Sequence, residues 1–475
     1  MINVAEGVAR LEALAAAGPA ARLAAAFEAA GRELAVVGGP VRDAFLGRAT
    51  ADLDFTTNAR PDEILRIVKP LATATWDVGR EFGTIAAQIE GDRVEITTYR
   101  ADAYDGVTRK PLVAFGDRLE DDLVRRDFTV NAMALRLPSR QLVDPRGGLE
   151  HLLAGVLDTP GEPEVSFGDD PPRMMRAARF ASQLGFEPSE RVRAAMTEMA
   201  ASLEIVSVER VADELAKLMR TSDPVPGIRL MVETGLAELV LPELPALRLE
   251  SDEHAHHKDV YEHTLTVVRQ AIELERGRGV LASPDLVVRL AALLHDIGKP
   301  ATKHVEGRVV SFHHHDVVGA KLAAKRLRAL RFDNDTVKAV ARLVELHLRF
   351  FGYSDAQWTD AAVRRYVRDA GEQLERLHIL TRADVTTRNR RKAEQLEWAY
   401  DDLERRIAEL REQEELDAVR PDLDGEAIMR ILGLKPGPEV GAAYRFLLET
   451  RLDEGPLGAE EAERRLRAWW AERSA

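Results

Sequence analysis

Cysteine is missing from all 475 residues, which excludes a disulfide framework, thiolate zinc sites and cysteine nucleophiles. No apolar run comes near the roughly 20 residues needed to cross a bilayer. The Ala-rich start is broken by Glu6, Arg10, Glu12 and Arg22, so it lacks the basic opening and unbroken apolar stretch of a signal peptide. These absences predict a cytoplasmic chain with no membrane partner. Positive charge is also in deficit. Against 80 Asp and Glu stand 66 Lys and Arg, a formal net charge of -14. Such a balance argues weakly against nucleic acid, yet clustered arginines can build a local binding field on an acidic protein.

What is present is a folded, multi-domain composition, 45% hydrophobic and 31% charged, long enough for two to four domains. Residues 1 to about 150 mix helical and strand patterns. Leu34 to Val37 is an apolar run that stops at Gly38-Gly39, and Pro40 then suits the first turn of a helix to about Leu46. Asp52-Leu53-Asp54-Phe55 and Arg93-Val94-Glu95-Ile96-Thr97 alternate polar and apolar, as half-buried strands do. Residues 101–118 read as a mobile loop. From about 150 onward nearly everything has helical periodicity, with proline-rich breaks at 160–163, 224–226, 242–245 and 436–438.

Asp52 and Asp54 are two apart on a strand and so share a face. Two carboxylates there can hold hard divalent cations, normally Mg²⁺, and Glu95 could supply a third oxygen from another strand. A D-x-D pair alone is most often a solvated edge feature. Here it follows Gly38-Gly39 at a helix start, where free backbone N–H groups, the helix dipole and Arg42 would suit a triphosphate.

Val37-Gly38-Gly39-Pro40-Val41-Arg42-Asp43 with Asp52-Leu53-Asp54 resembles the first motif of the class II CCA-adding enzymes and bacterial poly(A) polymerases, of the DNA polymerase beta superfamily. Arg125-Arg126-Asp127-Phe128-Thr129-Val130-Asn131-Ala132 resembles their second motif, and Asp144-Pro145-Arg146-Gly147-Gly148 their third. The resemblance implies catalytic metals on Asp52 and Asp54. It also implies that Arg126, Asp127 and Asn131 line the sugar–phosphate side of a nucleotide.

Asp170 and Arg173, in Asp169-Asp170-Pro171-Pro172-Arg173-Met174-Met175-Arg176, are three apart at a helix start, with aspartate suited to the cap. Cytosine and adenine each show an amino donor beside a bare ring nitrogen. Asp170 can accept from the first while Arg173 donates to the second; guanine and uracil mismatch both, at about 1–3 kcal/mol for each buried mismatch. A plain i,i+3 salt bridge would look the same. The segment resembles the base-recognising motif of the class II enzymes, which favours the specific reading. Arg176 and Arg179 extend the basic face toward phosphate. Val208-Glu209-Arg210-x-x-x-Glu214-Leu215 resembles the family's last neck motif and is expected to be mainly structural.

Of the twelve histidines, all but His151 fall between 254 and 378. His295-Asp296 follows an apolar helix, and His263, His347 and Asp384 lie on other helical segments. Such a set is a plausible mixed nitrogen–oxygen site for Mn, Fe, Ni, Zn or Mg. The order resembles the HD phosphohydrolase superfamily, which implies His263, His295, Asp296, His315, His347 and Asp384 as ligands, with His313 or His314 able to stand in for His315. Leu423-Asp424-Gly425, Gly433 and Pro436-Gly437-Pro438-x-x-Gly441 resemble the tail of HD-bearing CCA enzymes.

The expected fold is therefore α+β: a polymerase beta-type head with a mixed sheet over 1–150, then all-helical parts. These are a base-reading, RNA-binding neck at 151–245, an HD-type body at 246–400 and a tRNA-binding tail at 401–475. The expected activity is template-free addition of C, C and A to the tRNA 3′ end from CTP and ATP. The rivals are poly(A) synthesis, CC-only or A-only addition, an HD phosphohydrolase with an RNA-binding head, and a pure RNA-binding protein. The sequence leaves the oligomeric state unknown.

Overall fold

The computed structural model describes residues 2–49, 53–77, 79–101, 114–249, 259–306, 309–350, 352–353, 358–386, 389–414 and 420–474. The chain divides into two compact units, Met1–Val240 and Leu241–Ala475.

The first unit is built on a sheet whose strands are β1 (Leu34–Val37), β2 (Leu53–Thr57), β3 (Ala74–Trp76), β4 (Thr84–Ile89) and β5 (Asp92–Thr98). After a short ribbon of β6 (Arg100–Ala101) and β7 (Ala114–Phe115) it resumes with β8 (Ala134–Leu137) and β9 (Leu142–Val143). The seven-stranded order is β3-β4-β5-β2-β1-β8-β9. Only β2 and β5 pair in parallel and the other neighbours are antiparallel, so the sheet is mixed as expected. Side chains alternate across a strand. On β5, Val94, Ile96 and Thr98 are buried, while Glu95 and Thr97 face the other way. The register sets Asp54 beside Glu95 and Thr56 beside Thr97, so one face of two adjacent strands carries the polar residues. Of the stretch expected as a loop, the described ends form the β6–β7 ribbon, and 102–113 lies outside the described residues.

Helices follow, and each proline-rich break starts one: Pro163–Asp169, Val225–Glu233, Glu243–Ala246 and Pro438–Glu454. Proline's fixed φ and missing N–H are harmless in a first turn. The second unit packs Val260–Arg278, Leu286–Leu294, His315–Ala329, Asn334–Leu346 and Leu374–Ala383 together. Aspartates 259, 285 and 333 cap the first, second and fourth of these with side-chain bonds to backbone N–H groups, as N-caps do. Arg289 and Glu275 form a fully buried ion pair, Nε to Oε2 at 2.9 Å, between the first two helices. A small core of Leu423, Ile428, Ala443, Leu447, Ala462 and Leu466 holds the last three helices. The helical part also contains two small β pairs, Val156–Leu157 with Glu187–Pro188 and His304–Glu306 with Val309–Ser311. They are too short to show as alternation in the sequence.

Candidate functional sites in the head and in the helical unit

Gly38 ends β1 and caps the helix Gly39–Leu46 with φ 74°, a left-handed region that glycine enters freely. A Cβ there would come within 3.2 Å of Arg126 Nη1, so the turn lies against the second motif. Arg42 does not stand free. It is buried, with Nε on Asp43 Oδ1 at 2.9 Å and Nη1 on Asn131 Oδ1 at 2.6 Å. Asn131 in turn donates to Asp127 Oδ1 at 3.0 Å, which also accepts from the Phe128 N–H at 2.8 Å. Arg176 Nη2 sits 2.6 Å from Asp127 Oδ2, a close charge contact without hydrogen-bond alignment. Burial would raise the Asp127 pKa. Arg176, Asn131, Arg173 and the Phe128 N–H outweigh it and hold the carboxyl below its usual range.

This network backs a cavity of about 280 Å³ lined by Thr97, Arg100, Asp122, Arg125, Arg126, Asp127, Asp170, Arg173 and Arg176. Five arginines face three aspartates there, so the cavity is positive and suited to an anion. Five residues expected from the sequence meet in it: Arg126, Asp127, Asp170, Arg173 and Arg176. Asp54 and Glu95 share the strand face that continues to Thr97 on its wall. Glu95 is ion-paired with Arg93 at 2.8 Å. Asp52 lies outside the described residues.

Two details differ from expectation. The helix with Arg173 starts at Pro172 with Pro171 in the cap position and no side-chain cap bond. Asp170 instead ends the preceding helix, as the residue before Pro171 is pushed out of helical backbone, and its carboxylate binds Arg210, Oδ1 to Nη2 at 2.8 Å. Its contact with Arg173 is loose, 3.9 Å. Arg173 is held by Ser166 Oγ and by the Arg125 carbonyl, each at 2.8 Å. Burial lowers its pKa. Arg179 points to Glu214 at 2.7 Å and lies over the Phe180 ring, which agrees with a structural role for the last neck motif. Asp122 was missed. It accepts from the Arg100 N–H at 3.1 Å, Thr56 Oγ1 at 3.2 Å and Arg126 Nη2 at 3.3 Å. The acidic run before Arg125-Arg126, with Asp122 four residues from Arg126, carried the signal.

In the second unit, all six expected ligands converge. His263, His295 and Asp384 form one set, and Asp296, His315 and His347 a second, with one ligand atom from each residue lying within 4.8 Å of the others in its set. His315, not its two neighbours, is the contributing member of its triplet. Three rings are oriented alike. Nδ1 of His295, His315 and His347 meets the carbonyls of Ala292, Phe312 and Val344 at 2.9, 2.8 and 2.6 Å. A carbonyl only accepts, so Nδ1 carries the proton, and in His315 and His347 Nε2 then presents a lone pair inward. His315 Nε2 and His347 Nε2 are buried without hydrogen-bond partners, the condition a metal ion resolves. Burial alone would make His295 less basic, but Asp296 and Asp384 pull its pKa up to about 10. The cluster therefore attracts positive charge. Burial and the neighbouring His295 push His347 down to about 4, which keeps it a neutral donor. Lys299 Nζ, 2.9 Å from Asp296 Oδ2, and Thr386 Oγ1, 3.0 Å from His263 Nδ1, complete the surroundings and were not anticipated. Gly298 is required by space: a Cβ there would lie 2.1 Å from the His315 carbonyl. Its absence lets the His315 helix close on the His295-Asp296 turn.

Comparison with known proteins accounts for both arrangements. The family model described as Poly A polymerase head domain matches residues 34–158. That described as probable RNA and SrmB-binding site of polymerase A matches 185–247, and the HD domain matches 260–389. The A-adding tRNA nucleotidyltransferase of Deinococcus radiodurans is 36% identical over 92% of this chain and 95% of its own. The chain belongs to the tRNA nucleotidyltransferase family. Within it, the CC-adding tRNA nucleotidyltransferase of Thermus thermophilus is 32% identical over 91% of this chain and 93% of its own. The CCA-adding enzyme of a Geobacillus species is 41% identical, but over 45% of this chain and 52% of its own. The crystal structure of the Bacillus stearothermophilus CCA-adding enzyme in complex with CTP superposes with a TM-score of 0.67 at 25% identity, covering 95% of this chain and 97% of that one. The family's head and the HD domain are metal-dependent types, and among the described residues no helix is long and apolar enough to cross a membrane.

Proposed function

We propose that this chain adds C, C and A to the 3′ end of tRNA from CTP and ATP without a nucleic acid template. The observation that carries the reading is the positive cavity in which Asp170 and Arg173 share a wall with Arg126, Asp127 and Arg176. Donor and acceptor for a base edge thus lie beside the charges that would hold a triphosphate. We assign the head to 1–150, the neck to 151–245, the HD body to 246–400 and the tRNA-holding tail to 401–475.

Asp52, Asp54 and Glu95 are the residues that would hold Mg²⁺, which supplies charge neutralisation and activation of oxygen nucleophiles when bound. The chain's own groups do the rest. Arg126 and Arg176 stand ready for phosphate oxygens, and Asp127 and Asn131 keep their neighbours in place. Asp170 and Arg173 read the base edge. The tRNA 3′-hydroxyl would attack the α-phosphorus, and pyrophosphate would leave.

Two further readings are A-only addition, favoured by the end-to-end match at 36% identity to the A-adding relative, and CC-only addition, favoured by the end-to-end match at 32% identity to the CC-adding relative. Two tRNA substrates decide between them, one ending before the CCA and one ending in CC. Labelled CTP extends the first only in an enzyme that adds C, and labelled ATP extends the second only in one that adds A. Failure on both would reject the family activity for this chain.

For the HD cluster we propose a metal-dependent phosphohydrolase. His263, His295, Asp296, His315, His347 and Asp384 would hold one or two divalent ions, Mn, Ni, Fe, Zn or Mg, and the expected substrates are phosphate esters at damaged RNA ends. Its support is the convergence of the six side chains and the unpartnered ring nitrogens of His315 and His347.

A further inference from the structure

Within the second unit, a cavity of about 410 Å³ opens between the helix Val260–Arg278, the end of the helix Leu374–Ala383 and the helix Arg390–Glu414. Its walls include Gln270, Leu274, Val385, Ala393, Leu396 and Tyr400. Its volume falls in the range of small-molecule sites. Two of its lining residues, Gln270 and Val385, stand close in the chain to residues of the histidine–aspartate cluster. Gln270 is two helical turns from His263, on the same face and about 10 Å along the axis. Val385 directly follows Asp384, and Thr386 touches the His263 ring.

The lining determines which part of a ligand fits. Arg278 and Arg382 stand on the wall, but their charges are already met. Arg278 binds both oxygens of Glu404 at 3.0 and 2.9 Å, and Arg382 binds Glu404 at 3.0 Å and Asp401 at 2.7 Å. Glu273 and Glu397 also line the cavity and would repel an anion. A phosphate therefore does not belong there, whereas a flat, uncharged ring does. Among the described residues, Gln270 Oε1 is buried without a hydrogen-bond partner. Such an acceptor is costly unless a ligand donates to it.

We propose that this cavity receives the nucleobase of a nucleoside phosphate ester whose phosphate lies at the HD cluster, with Gln270 accepting from an exocyclic amino group. The proposal rests on the phosphohydrolase reading of that cluster. It makes a base with an amino group, adenine foremost, the preferred substituent and uracil a poor one. The separation of Gln270 from His263 suits the reach from phosphorus to base edge.

The test uses the full chain supplied with Mn²⁺ and three esters: adenosine 2′,3′-cyclic phosphate, uridine 2′,3′-cyclic phosphate and the base-free bis(p-nitrophenyl) phosphate. Calorimetric binding of adenosine, without added metal, is the independent readout. Ala393→Trp fills the cavity from a helix surface, and Gln270→Leu removes the acceptor. The wild type should prefer the adenosine ester about tenfold over the uridine ester, one hydrogen bond's worth of discrimination. Gln270→Leu should bring that ratio to about one through KM. Ala393→Trp should abolish adenosine binding and raise KM for the adenosine ester, yet leave hydrolysis of the base-free ester and tRNA nucleotide addition unchanged. Adenosine binding unaffected by Ala393→Trp, or a base preference unaffected by both variants, overturns the proposal even if hydrolysis is robust. Adenosine binding lost in Ala393→Trp, with no hydrolysis of any ester by the wild type, would reject the phosphohydrolase reading and keep the base site.

Discussion

The head cavity and the histidine cluster are both buried and polar, and the atoms left without partners are mostly donors in the first, Asp127 Oδ2 being the exception, and acceptors in the second. In the head the buried atoms without partners include the donors Arg100 Nε, Arg126 Nε and Arg176 Nε. In the cluster they are the acceptors His315 Nε2 and His347 Nε2. The head therefore offers a fixed positive frame to an anion, and the cluster fixed lone pairs to a cation. Both use the same device, a first contact that spends one end of the side chain to aim the other. Arg173 is anchored by Ser166 and the Arg125 carbonyl. The histidines are anchored by carbonyls three residues back in the chain.

The sharpest way to break this contrast is to empty the head of its metal. Asp54→Ala should lower nucleotide incorporation by about three orders of magnitude, the loss expected when several kcal/mol of metal stabilisation disappear. Metal bound by the histidine cluster, measured by elemental analysis, should not change. Next in size, His347→Ala removes one inward lone pair and should weaken metal binding at the cluster by at least about tenfold to a hundredfold, read by titration with a metal-sensitive dye. Incorporation should stay at the wild-type rate.

Asp127→Asn tests the head frame. It should cost about 1–3 kcal/mol in stability, because the Arg176 contact loses its charge and the bonds from Asn131 and the Phe128 N–H are weakened. The folded pKa of Asp127 is depressed, so its contribution is complete above the unfolded value of about 4 and is lost as pH falls through the lower folded value. Urea unfolding at pH 7 and pH 3 should thus separate wild type and variant more at pH 7 than at pH 3. Smaller again, Arg173→Ala should cut discrimination of CTP and ATP from GTP and UTP by about tenfold in kcat/KM, and Arg210→Ala by less, since Arg210 acts only through Asp170. An unchanged selectivity in Arg173→Ala would make it a helix anchor alone. The least effect in any one variant is on RNA affinity, which should fall steadily with added salt despite a net charge of -14, as released counterions require.

Much of this was legible in the sequence because periodicity and spacing report local geometry. The alternation around Asp54 and around Glu95, the turn at Gly38 and the helix starts at proline all follow from residues near one another, whereas the pairing that sets Asp54 beside Glu95 is tertiary. Convergence of the six expected ligands is a tertiary fact, implied by the resemblance to HD proteins and not by spacing. The sequence was silent wherever a side chain chooses among distant partners. Asp170 reads as an N-cap but binds Arg210, forty positions on. Arg42 reads as a free phosphate ligand but is drawn to Asn131, 89 positions away. The cavity beside the HD cluster had no sequence signature, since Gln270, Val385 and Tyr400 meet only in the folded bundle.

The central claim is that the chemistry of nucleotide addition needs no metal at the histidine cluster and belongs to the first unit, while metal capture by histidine belongs to the second. The direct measurement is incorporation of labelled CTP and ATP into tRNA lacking its 3′ end by the double variant His295→Ala, Asp296→Ala. The account predicts wild-type incorporation from a protein whose histidine cluster no longer binds metal. Loss of incorporation in a folded double variant would contradict it.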